Sequence, residues 1–385
     1  MIKRNAELEL RLLSTQFKAV AVVGPRQSGK TTLVRMVFTD KSYVSLENPD
    51  MRKYALEDPR GFLSNYPDGA ILDEVQRAPE LFSYLQQILD DSATKGMFIL
   101  TGSNNFTLQE SISQSLAGRV GFLFLLPLSL SEINDKNYDA NHLMFKGGYP
   151  ELYHSDTDPV RYYANYIRTY IERDVRLLKN ITDLFAFERF LRLCAGRTGQ
   201  MLNMSSLANE AGVDVKTISS WIGVLEASFI VFRLQPYHKN YNKRIVKMPK
   251  IYFYDTGLAA ALLSIENAGQ LAFHPFRGNL FENMIVLEFL KSRYNDGKSN
   301  NLFFWRDNVG HEIDLLLEAG ISPLPVEIKS GATVSDEFFK GILFWNKMTG
   351  TDGGFVIYGG DAKQKRSNGI TVVPYCELER IEKVM

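Results

Sequence analysis

The chain has 385 residues, too many for one ordinary domain and suited to two or three domains with separate cores. Its 44 basic and 44 acidic residues cancel, so any contact with nucleic acid must come from a local patch rather than from overall charge. No apolar run approaches the ~20 residues that span a bilayer, which predicts no membrane partner. No signal-peptide core follows Met1, and Cys194 and Cys376 lack metal-type spacing. These two features predict a cytoplasmic location.

A phosphate-binding loop is predicted at residues 24–31. The apolar run 19–23 is typical of a buried strand, and the sequence Gly-Pro-Arg-Gln-Ser-Gly-Lys-Thr after it fits G-x-x-x-x-G-K-[ST]. In such a loop, backbone N–H groups and a helix N-terminus face the phosphates, the lysine reaches the β- and γ-phosphates and the threonine ligates Mg²⁺. The motif therefore predicts binding of ATP and Mg²⁺, with catalytic Lys30 and metal-ligating Thr31. The predicted nucleotide-binding residues are Gly24, Pro25, Arg26, Gln27, Ser28, Gly29, Lys30, Thr31, Thr32 and, from a later strand, Ser103.

A second predicted strand, 69–74, ends in two acidic residues. At the carboxyl end of such a strand, the first acid of a phosphate-loop enzyme holds Mg²⁺ and the second polarises the attacking water. We assign Asp73 to the metal and Glu74 to general base catalysis. The alternative is a strand end that only leads into a turn.

Two further features follow in the first 155 residues. A third strand, 97–104, ends in small polar residues, so Thr101, Ser103 or Asn104 is placed to sense the γ-phosphate, although a plain turn has the same composition. Arg119 precedes another apolar strand. Its guanidinium is a catalytic candidate that stabilises charge on the γ-phosphate of its own or a neighbouring subunit, or it pairs with a surface acid.

The order of these motifs resembles the AAA-type ATPases that carry a DUF4143 region. The resemblance implies a nucleotide-driven switch or motor, related to the signal-transduction ATPases with numerous domains. It extends over nearly the whole chain, through the segments 24–31, 72–74, 100–103, 117–119, 126–132, 147–151, 170–175 and 250–258.

A helical linker is predicted after Asp158 and Pro159, where tyrosines recur at helical spacing. Such an aromatic stripe favours packing between two domains over ligand binding. The charges at 172–174 are expected to be solvated or to form salt links between domains.

A helix-turn-helix is predicted in residues 204–225, with Ser205 and Asp214 as the helix caps. Strands at 229–234 and 251–254 would add the hairpin of a winged helix. The loop at 239–250 contains basic residues and no acid, which makes it a candidate DNA contact. The second helix offers few base or phosphate contacts, so an ATPase lid packed through Trp221 and Leu225 is an equal alternative. The basic residues of the loop are Lys239, Lys243, Arg244, Lys247 and Lys250, with Tyr237 and Tyr241 interleaved, and the candidate contacts of the helix are Lys216, Thr217, Ser219 and Ser220.

The last region contains Asp314 at the start of one strand, with Glu327 and Lys329 on one face of the next. This order resembles the Asp…Glu-x-Lys pattern of the restriction-endonuclease-like fold. Two carboxylates of this kind hold Mg²⁺ while the lysine orients a nucleophile, and Glu282 from the preceding helix would complete the metal shell. His311 is a candidate proton donor, although a lone histidine before a strand is more often structural. Whether such a domain cleaves DNA stays open, because the same residues occur on ordinary strand edges.

The predicted architecture is α/β. It consists of a P-loop NTPase parallel sheet in residues 1–155, a helical linker in 156–182, a winged helix in 183–256 and an α/β restriction-endonuclease-like domain in 257–385. Two functions follow. One is an ATPase coupled to a nuclease-like module that acts on or binds DNA; the other is a nucleotide-operated interaction switch with a silent nuclease-like domain. A homo-oligomer is a candidate assembly in either case.

Overall fold

The computed structural model describes residues 2–103, 108, 112, 115–133, 139–171, 183–237, 247–318, 320 and 322–378. Several predicted residues lie outside these ranges: Asn104, the charged residues 172–174, and Lys239, Tyr241, Lys243 and Arg244 of the basic loop. Among the described residues, every helix is too short or too polar to span a membrane.

A parallel sheet forms the core of the first region. Within the described residues it has the strand order β2-β3-β4-β1-β5. All five residues of the interior strand β1 are buried, because helices cover both faces. This confirms the predicted P-loop type of parallel sheet. The strands are β1 (Ala19–Val23), β2 (Ser42–Ser45), β3 (Ala70–Asp73), β4 (Phe98–Gly102) and β5 (Val120–Phe124); the helices are α1 (Glu7–Gln16), α2 (Lys30–Val37), α3 (Pro49–Glu57), α4 (Pro59–Ser64), α5 (Leu81–Asp91), α6 (Leu130–Ile133), α7 (Ala140–Lys146) and α8 (Glu151–His154).

The strand register brings the predicted site residues to one edge of this sheet. Val23 at the end of β1 pairs with Gly102 of β4, and Leu72 of β3 pairs with Leu100 of β4. The residues that follow each strand therefore meet at the same carboxyl edge, which is where open α/β sheets bind ligands.

The middle region is helical. Helix α9 (Pro159–Tyr166) is capped by Asp158, whose side chain accepts a hydrogen bond from Arg161 N at 2.9 Å, and Tyr162, Tyr163 and Tyr166 of the stripe are buried as predicted. A π-helical turn, Ile167–Ile171, follows. The remaining described helices of this region are α10 (Leu184–Ala195), α11 (Met204–Ala211), α12 (Val215–Ala227), α13 (Thr256–Leu262) and α14 (Ala268–Leu271).

Helices α11 and α12 form the predicted helix-turn-helix, with Gly212 in the left-handed conformation at φ 76°. Asp214 caps α12 as predicted, since its side chain accepts from Thr217 N at 2.8 Å. The prediction for α11 was wrong: Asn203 is the cap and accepts from Ser206 N at 3.0 Å, while Ser205 lies inside the first turn. Both residue types cap helices well, so composition alone did not separate them.

The C-terminal region is built on a second, mixed sheet. In the described chain its strand order is β12-β13-β11-β10-β9-β8-β6-β7. Helices α15 (Arg277–Asn295) and α16 (Lys340–Thr349) pack against it. The strands are β6 (Val231–Pro236), β7 (Lys250–Phe253), β8 (Leu302–Arg306), β9 (Glu312–Leu317), β10 (Leu324–Lys329), β11 (Gly354–Tyr358), β12 (Gln364–Lys365) and β13 (Ile370–Pro374).

The predicted wing hairpin belongs to this second sheet. Strand β6 pairs antiparallel with β7, and its last residues, Gln235 and Pro236, pair in parallel with Phe303 and Phe304 of β8. The sequence placed a domain boundary after residue 256, whereas the backbone ladder crosses that boundary. The winged-helix and C-terminal regions therefore share one sheet.

Candidate nucleotide-binding site

The loop after β1 has the shape of a phosphate cradle. A side-chain carbon added at Gly24 would lie 2.1 Å from Leu125 O, so only glycine fits there, and Gly29 has φ 92°. The Ser28 hydroxyl is buried and has no hydrogen-bond partner among the described residues. A buried polar atom without a partner is costly, and a phosphate oxygen would satisfy it. The residues present therefore fit a triphosphate.

Lys30 begins α2 and lies inside the cradle, only 6% exposed. Its ammonium donates to Gly24 O at 3.0 Å and to Pro25 O at 2.7 Å. Burial lowers the pKa of Lys30 to about 8, although the nearby Glu74 and Asp73 carboxylates oppose this shift. Carbonyl dipoles solvate the ammonium without neutralising it. A bound phosphate would supply the missing negative charge.

The two predicted Mg²⁺ residues of this site lie in contact. Thr31 Oγ1 donates to Asp73 Oδ1 at 3.0 Å, and the Thr101 hydroxyl donates to the same oxygen. Tyr43 OH donates to the other carboxylate oxygen at 2.8 Å. Burial together with this bond to Asp73 raises the pKa of Tyr43 to about 12. Sequence reasoning did not find Tyr43, because β2 carries no motif that marks it.

The predicted general base is held beside the predicted sensor. Glu74 follows β3 with φ 55°, a conformation that non-glycine residues adopt at a cost. Its carboxylate accepts from Ser103 Oγ at 3.0 Å and from the side-chain amide of Gln76. These contacts aim the carboxylate at the carboxyl edge, next to the loop that follows β1.

Two residues that the sequence did not single out hold the loop from behind. The guanidinium of Arg4, 7% exposed, donates to Ser28 O at 2.6 Å, to Leu126 O at 2.7 Å and to Glu132 at 3.0 Å. Tyr162 OH of α9 donates to Gln27 Oε1 at 2.6 Å. The loop is thereby connected to the N-terminal segment, to the chain after β5 and to the linker helix.

The chain after β5 also contacts the C-terminal region. Lys291 Nζ of α15 donates to Leu128 O at 2.7 Å, and Glu288 Oε2 accepts from Leu130 N at 2.7 Å. Glu288 and Lys291 are themselves paired at 2.8 Å and nearly inaccessible to solvent. The segment 126–132 therefore connects the two sets of contacts, because Arg4 links it to the loop and Glu288 and Lys291 link it to α15.

Of the other predicted residues, Arg119 lies away from this edge. It pairs with Asp90 in a two-bond contact of 2.5 and 2.9 Å, directly before β5. Strand β5 separates it from the carboxyl edge by about 16 Å, at ~3.3 Å for each of five residues. Within its own chain Arg119 does not reach the loop, so its predicted catalytic role requires a neighbouring subunit. Thr32 is exposed in the first turn of α2.

The predicted nuclease residues are brought together in the second sheet. Lys329 Nζ lies 2.9 Å from Asp314 and 2.6 Å from Glu327. Although burial opposes ionisation, the Lys329 and Lys250 ammonium groups lower the pKa of Asp314 to about 2. Burial and the Asp314 charge raise the pKa of Glu327 well above its usual range.

A second lysine enters this cluster. Lys250, predicted as part of the exposed basic loop, is 3% exposed, and that part of the prediction was wrong. Its ammonium lies 2.9 Å from Glu282 and 2.6 Å from Glu312. Glu282 also accepts from Tyr252 OH at 2.6 Å. Among the described residues, no group of three or more His, Cys, Asp or Glu side chains is arranged to hold a metal ion. The predicted Mg²⁺ set of Glu282, Asp314 and Glu327 does not fit a metal as it stands.

Two other predicted features have structural partners. His311 Nδ1 lies 2.9 Å from Asp307, and its ring stacks on Phe344 at 3.7 Å. Trp221 of α12 packs against Phe187 and Phe190 with ring centroids 5.3 Å apart. Both side chains therefore have packing contacts, and the ring nitrogen of His311 also contacts a carboxylate.

Family models match three consecutive parts of the chain. The AAA domain (AAA_14) matches residues 16–134, a domain of unknown function (DUF8612) matches 137–269, and a second domain of unknown function (DUF4143) matches 277–378. Uncharacterized protein Mb2031c of Mycobacterium bovis and Uncharacterized protein Rv2008c of Mycobacterium tuberculosis are each 32% identical to the chain over 337 residues, covering 86% of it and 75% of their own length.

Solved structures show looser likenesses. The Walker-type ATPase PABY2304 of Pyrococcus abyssi has a TM-score of 0.44 at 13% identity, covering 68% of this chain and 96% of its own. AMPPCP-bound DnaA from Aquifex aeolicus has a TM-score of 0.31 at 13% identity, covering 57% and 85%. The STAND protein with a tetratricopeptide repeat sensor, PH0952 from Pyrococcus horikoshii, has 0.28 at 12% identity, covering 78% and 48%. With TM-scores below 0.5, these likenesses support no functional argument.

Proposed function

This chain belongs to the family of AAA-type ATPases that carry a DUF4143 region, and on that basis we propose that it hydrolyses ATP with Mg²⁺ and transmits its nucleotide state to the C-terminal domain. The observation that carries the proposal is the combination in one cradle of a buried lysine without a full countercharge and a buried hydroxyl without a described partner. Both groups are stabilised by an anion.

Each residue of the site has a role in this proposal. The backbone N–H groups of the loop and the Lys30 ammonium bind phosphate oxygens. Thr31 and Asp73 hold the magnesium ion, which neutralises phosphate charge when bound. Glu74 accepts the proton of the attacking water, and Ser103 keeps the Glu74 carboxylate in position.

Transmission to the C-terminal domain is supported by the hydrogen bonds behind the loop. A change in the position of Ser28 O alters the Arg4 contact, and Arg4 also bonds Leu126 O in the segment that Glu288 and Lys291 grip. Because these groups are buried, water does not replace a lost partner, and breaking one of these hydrogen bonds is costly. The nucleotide state thus biases how α15 sits against the first domain.

DNA binding is a second candidate function. It is favoured by Lys216 and Ser219, which are exposed in the first two turns of α12, although the basic loop lies largely outside the described residues. If the protein binds duplex DNA through α12 together with the basic loop predicted at residues 239–250, we expect the affinity to fall steeply with salt and to be lost in the Lys243→Glu, Arg244→Glu variant. Binding that this charge reversal leaves unchanged would favour the interaction switch.

The ATPase proposal is tested by comparing the parent with Lys30→Met and Glu74→Gln. We expect Lys30→Met to lose both binding and hydrolysis, with at least about 10³-fold slower phosphate release. Glu74→Gln should keep binding and release phosphate about 10²-fold more slowly. The matched control is Glu57→Gln, which changes an exposed glutamate that pairs with Lys53 one helix turn away.

Binding is measured by calorimetry with Mg²⁺ and ATP, and transmission by hydrogen exchange in α15 with and without nucleotide. No heat from the parent would overturn the proposal. If nucleotide binds but hydrogen exchange in α15 does not change, the ATPase proposal stands and the proposed transmission to the C-terminal domain is refuted.

A further inference from the structure

The C-terminal cluster contains four carboxylates and three cationic side chains in one small volume. The carboxylates are Glu282 of α15, Glu312 and Asp314 of β9, and Glu327 of β10; the cations are Lys250 of β7, Arg306 of β8 and Lys329 of β10. In the nuclease fold that this region resembles, Glu282, Asp314 and Glu327 would surround a divalent cation. Here each of these three carboxylates accepts a hydrogen bond from a lysine of the same chain.

We propose that the Lys250 ammonium is a built-in cation that replaces the metal, so that this domain neither binds a divalent ion at these carboxylates nor cleaves phosphodiester bonds. The inference is independent of ATP hydrolysis, since it concerns a different sheet of the molecule.

The first support is the position of Lys250. Its ammonium lies between Glu282, at 2.9 Å, and Glu312, at 2.6 Å, and the sequence pattern for nuclease activity does not include it. Lys329 is the lysine of that pattern, and it already contacts the other two acids. A lysine on Glu282 is therefore additional to the catalytic pattern, and it occupies the helix-borne ligand.

The second support is burial. Lys250 has 3% of its surface exposed, and its ammonium lies 5.5 Å from the ring centroid of Phe304. Strand β7, which carries it, is paired with β6 and is buried at all four positions. Displacing the ammonium breaks two ion pairs inside a buried site, because the lysine belongs to a buried strand and not to a surface loop.

The third support is the cover over Glu327. A side-chain carbon added at Gly341 of α16 would lie 2.1 Å from Glu327 Oε1, so the helix backbone passes directly over this carboxylate. Glu327 is 5% exposed and Asp314 is 9% exposed. A hydrated metal and a phosphodiester both need more access than this.

The replacement also has a structural consequence. Because Lys250 belongs to the hairpin and its partners belong to α15 and β9, the ion pairs join the winged-helix region to the C-terminal sheet. A metal held by Glu282, Asp314 and Glu327 would not make this connection.

The test compares the parent, Lys250→Met, Glu327→Gln and the double variant, with Lys247→Met as the control at an exposed lysine three residues away. Mn²⁺ binding is measured by calorimetry without nucleotide, and nicking of supercoiled plasmid is measured with Mg²⁺ or Mn²⁺. We expect no nicking by the parent or by Lys247→Met. We also expect no Mn²⁺ binding that depends on Glu327, so that the parent and Glu327→Gln give the same titration. Lys250→Met should bind Mn²⁺ at least about tenfold more tightly than any residual Mn²⁺ binding by the parent. The double variant should lose this gain.

Two results would overturn the proposal. One is Mn²⁺ binding or nicking by the parent that Glu327→Gln abolishes. The other is a folded Lys250→Met protein, judged by circular dichroism, that gains no Mn²⁺ binding. If Lys250→Met does not fold, the comparison of the parent with Glu327→Gln decides the question alone.

Discussion

Two of the buried lysines in the described part of the chain, Lys30 and Lys250, lie near carboxylates in opposite environments. Lys30 of the phosphate loop bonds carbonyl oxygens, and burial lowers its pKa to about 8. Lys250 of the second sheet bonds two carboxylates; although burial opposes its charge, Glu282, Tyr252 and Glu312 raise its pKa well above the usual range.

The difference shows how to separate a binding lysine from a structural one. Where carboxylates of the protein neutralise the ammonium, no ligand charge is needed and the ion pairs of the lysine stabilise the fold. Where the direct hydrogen bonds go to carbonyl dipoles and burial outweighs the nearby carboxylates, as at Lys30, the folded chain carries an electrostatic penalty that an anionic ligand removes. The motif around Lys30 and the energetics of its environment point to the same function.

The strongest challenge to this comparison is to replace each lysine by methionine without nucleotide. Lys250→Met leaves Glu282 mostly buried without its lysine, while Glu312 keeps its ion pair with Arg306, and we expect a loss of about 3–5 kcal/mol of unfolding free energy. Lys30→Met removes a buried charge, and we expect it to stabilise the nucleotide-free protein. Urea unfolding measures both, and a loss of similar size in the two variants would break the comparison.

The pH dependence of stability sharpens the same contrast. The folded pKa of Lys30 is about 8 and its ordinary value is 10.5, so between these pH values the unfolded chain binds more protons than the folded one. The penalty is fully present below pH 8 and is lost as pH rises toward 10.5, over a range of about 3 kcal/mol. The free-energy difference between the parent and Lys30→Met should therefore shrink from pH 7 to pH 10. A difference that stays constant over this range would contradict the assignment.

The smallest expected effect concerns Tyr43. The Tyr43→Phe variant loses the hydrogen bond to Asp73, and we expect its unfolding free energy to fall by only about 1 kcal/mol. The loss is small because Asp73 keeps its bonds from Thr31 and Thr101. The Mg²⁺ concentration for half-maximal hydrolysis should rise about fivefold, at an unchanged maximal rate. Tyr54→Phe, which loses only a surface contact to Asn65, serves as the control. An equal response of the two variants would assign Tyr43 to packing alone.

The sequence predicted those parts of the site that lie close together along the chain. The strand, the glycine turn and the first helical turn around Lys30 are contiguous, so their pattern carries the geometry. The acids at 73 and 74 were recognisable because parallel strands end at one edge. The P-loop type of sheet was predictable for the same reason.

Contacts between distant segments were not predictable. Arg4 lies 128 residues from Glu132, and Tyr162 lies 135 residues from Gln27, so no local pattern marks either pair. Lys250 was misassigned to a solvated basic loop because its neighbours in sequence are cations, while its partners come from α15 and β9. Which lysine is buried depends on the pairing of β6 with β8, and that pairing is tertiary information.

The pairing of β6 with β8 also has a consequence for synthesis of the chain. The hairpin leaves the ribosome before residues 302–306, so the outer side of β6 has no ladder partner until about seventy more residues have been translated. The unpaired backbone groups of such an edge can pair with a strand of another chain, and chaperones prevent this pairing during synthesis. A fragment ending near residue 256 would keep this edge permanently, and we expect it to aggregate rather than to fold as an independent domain.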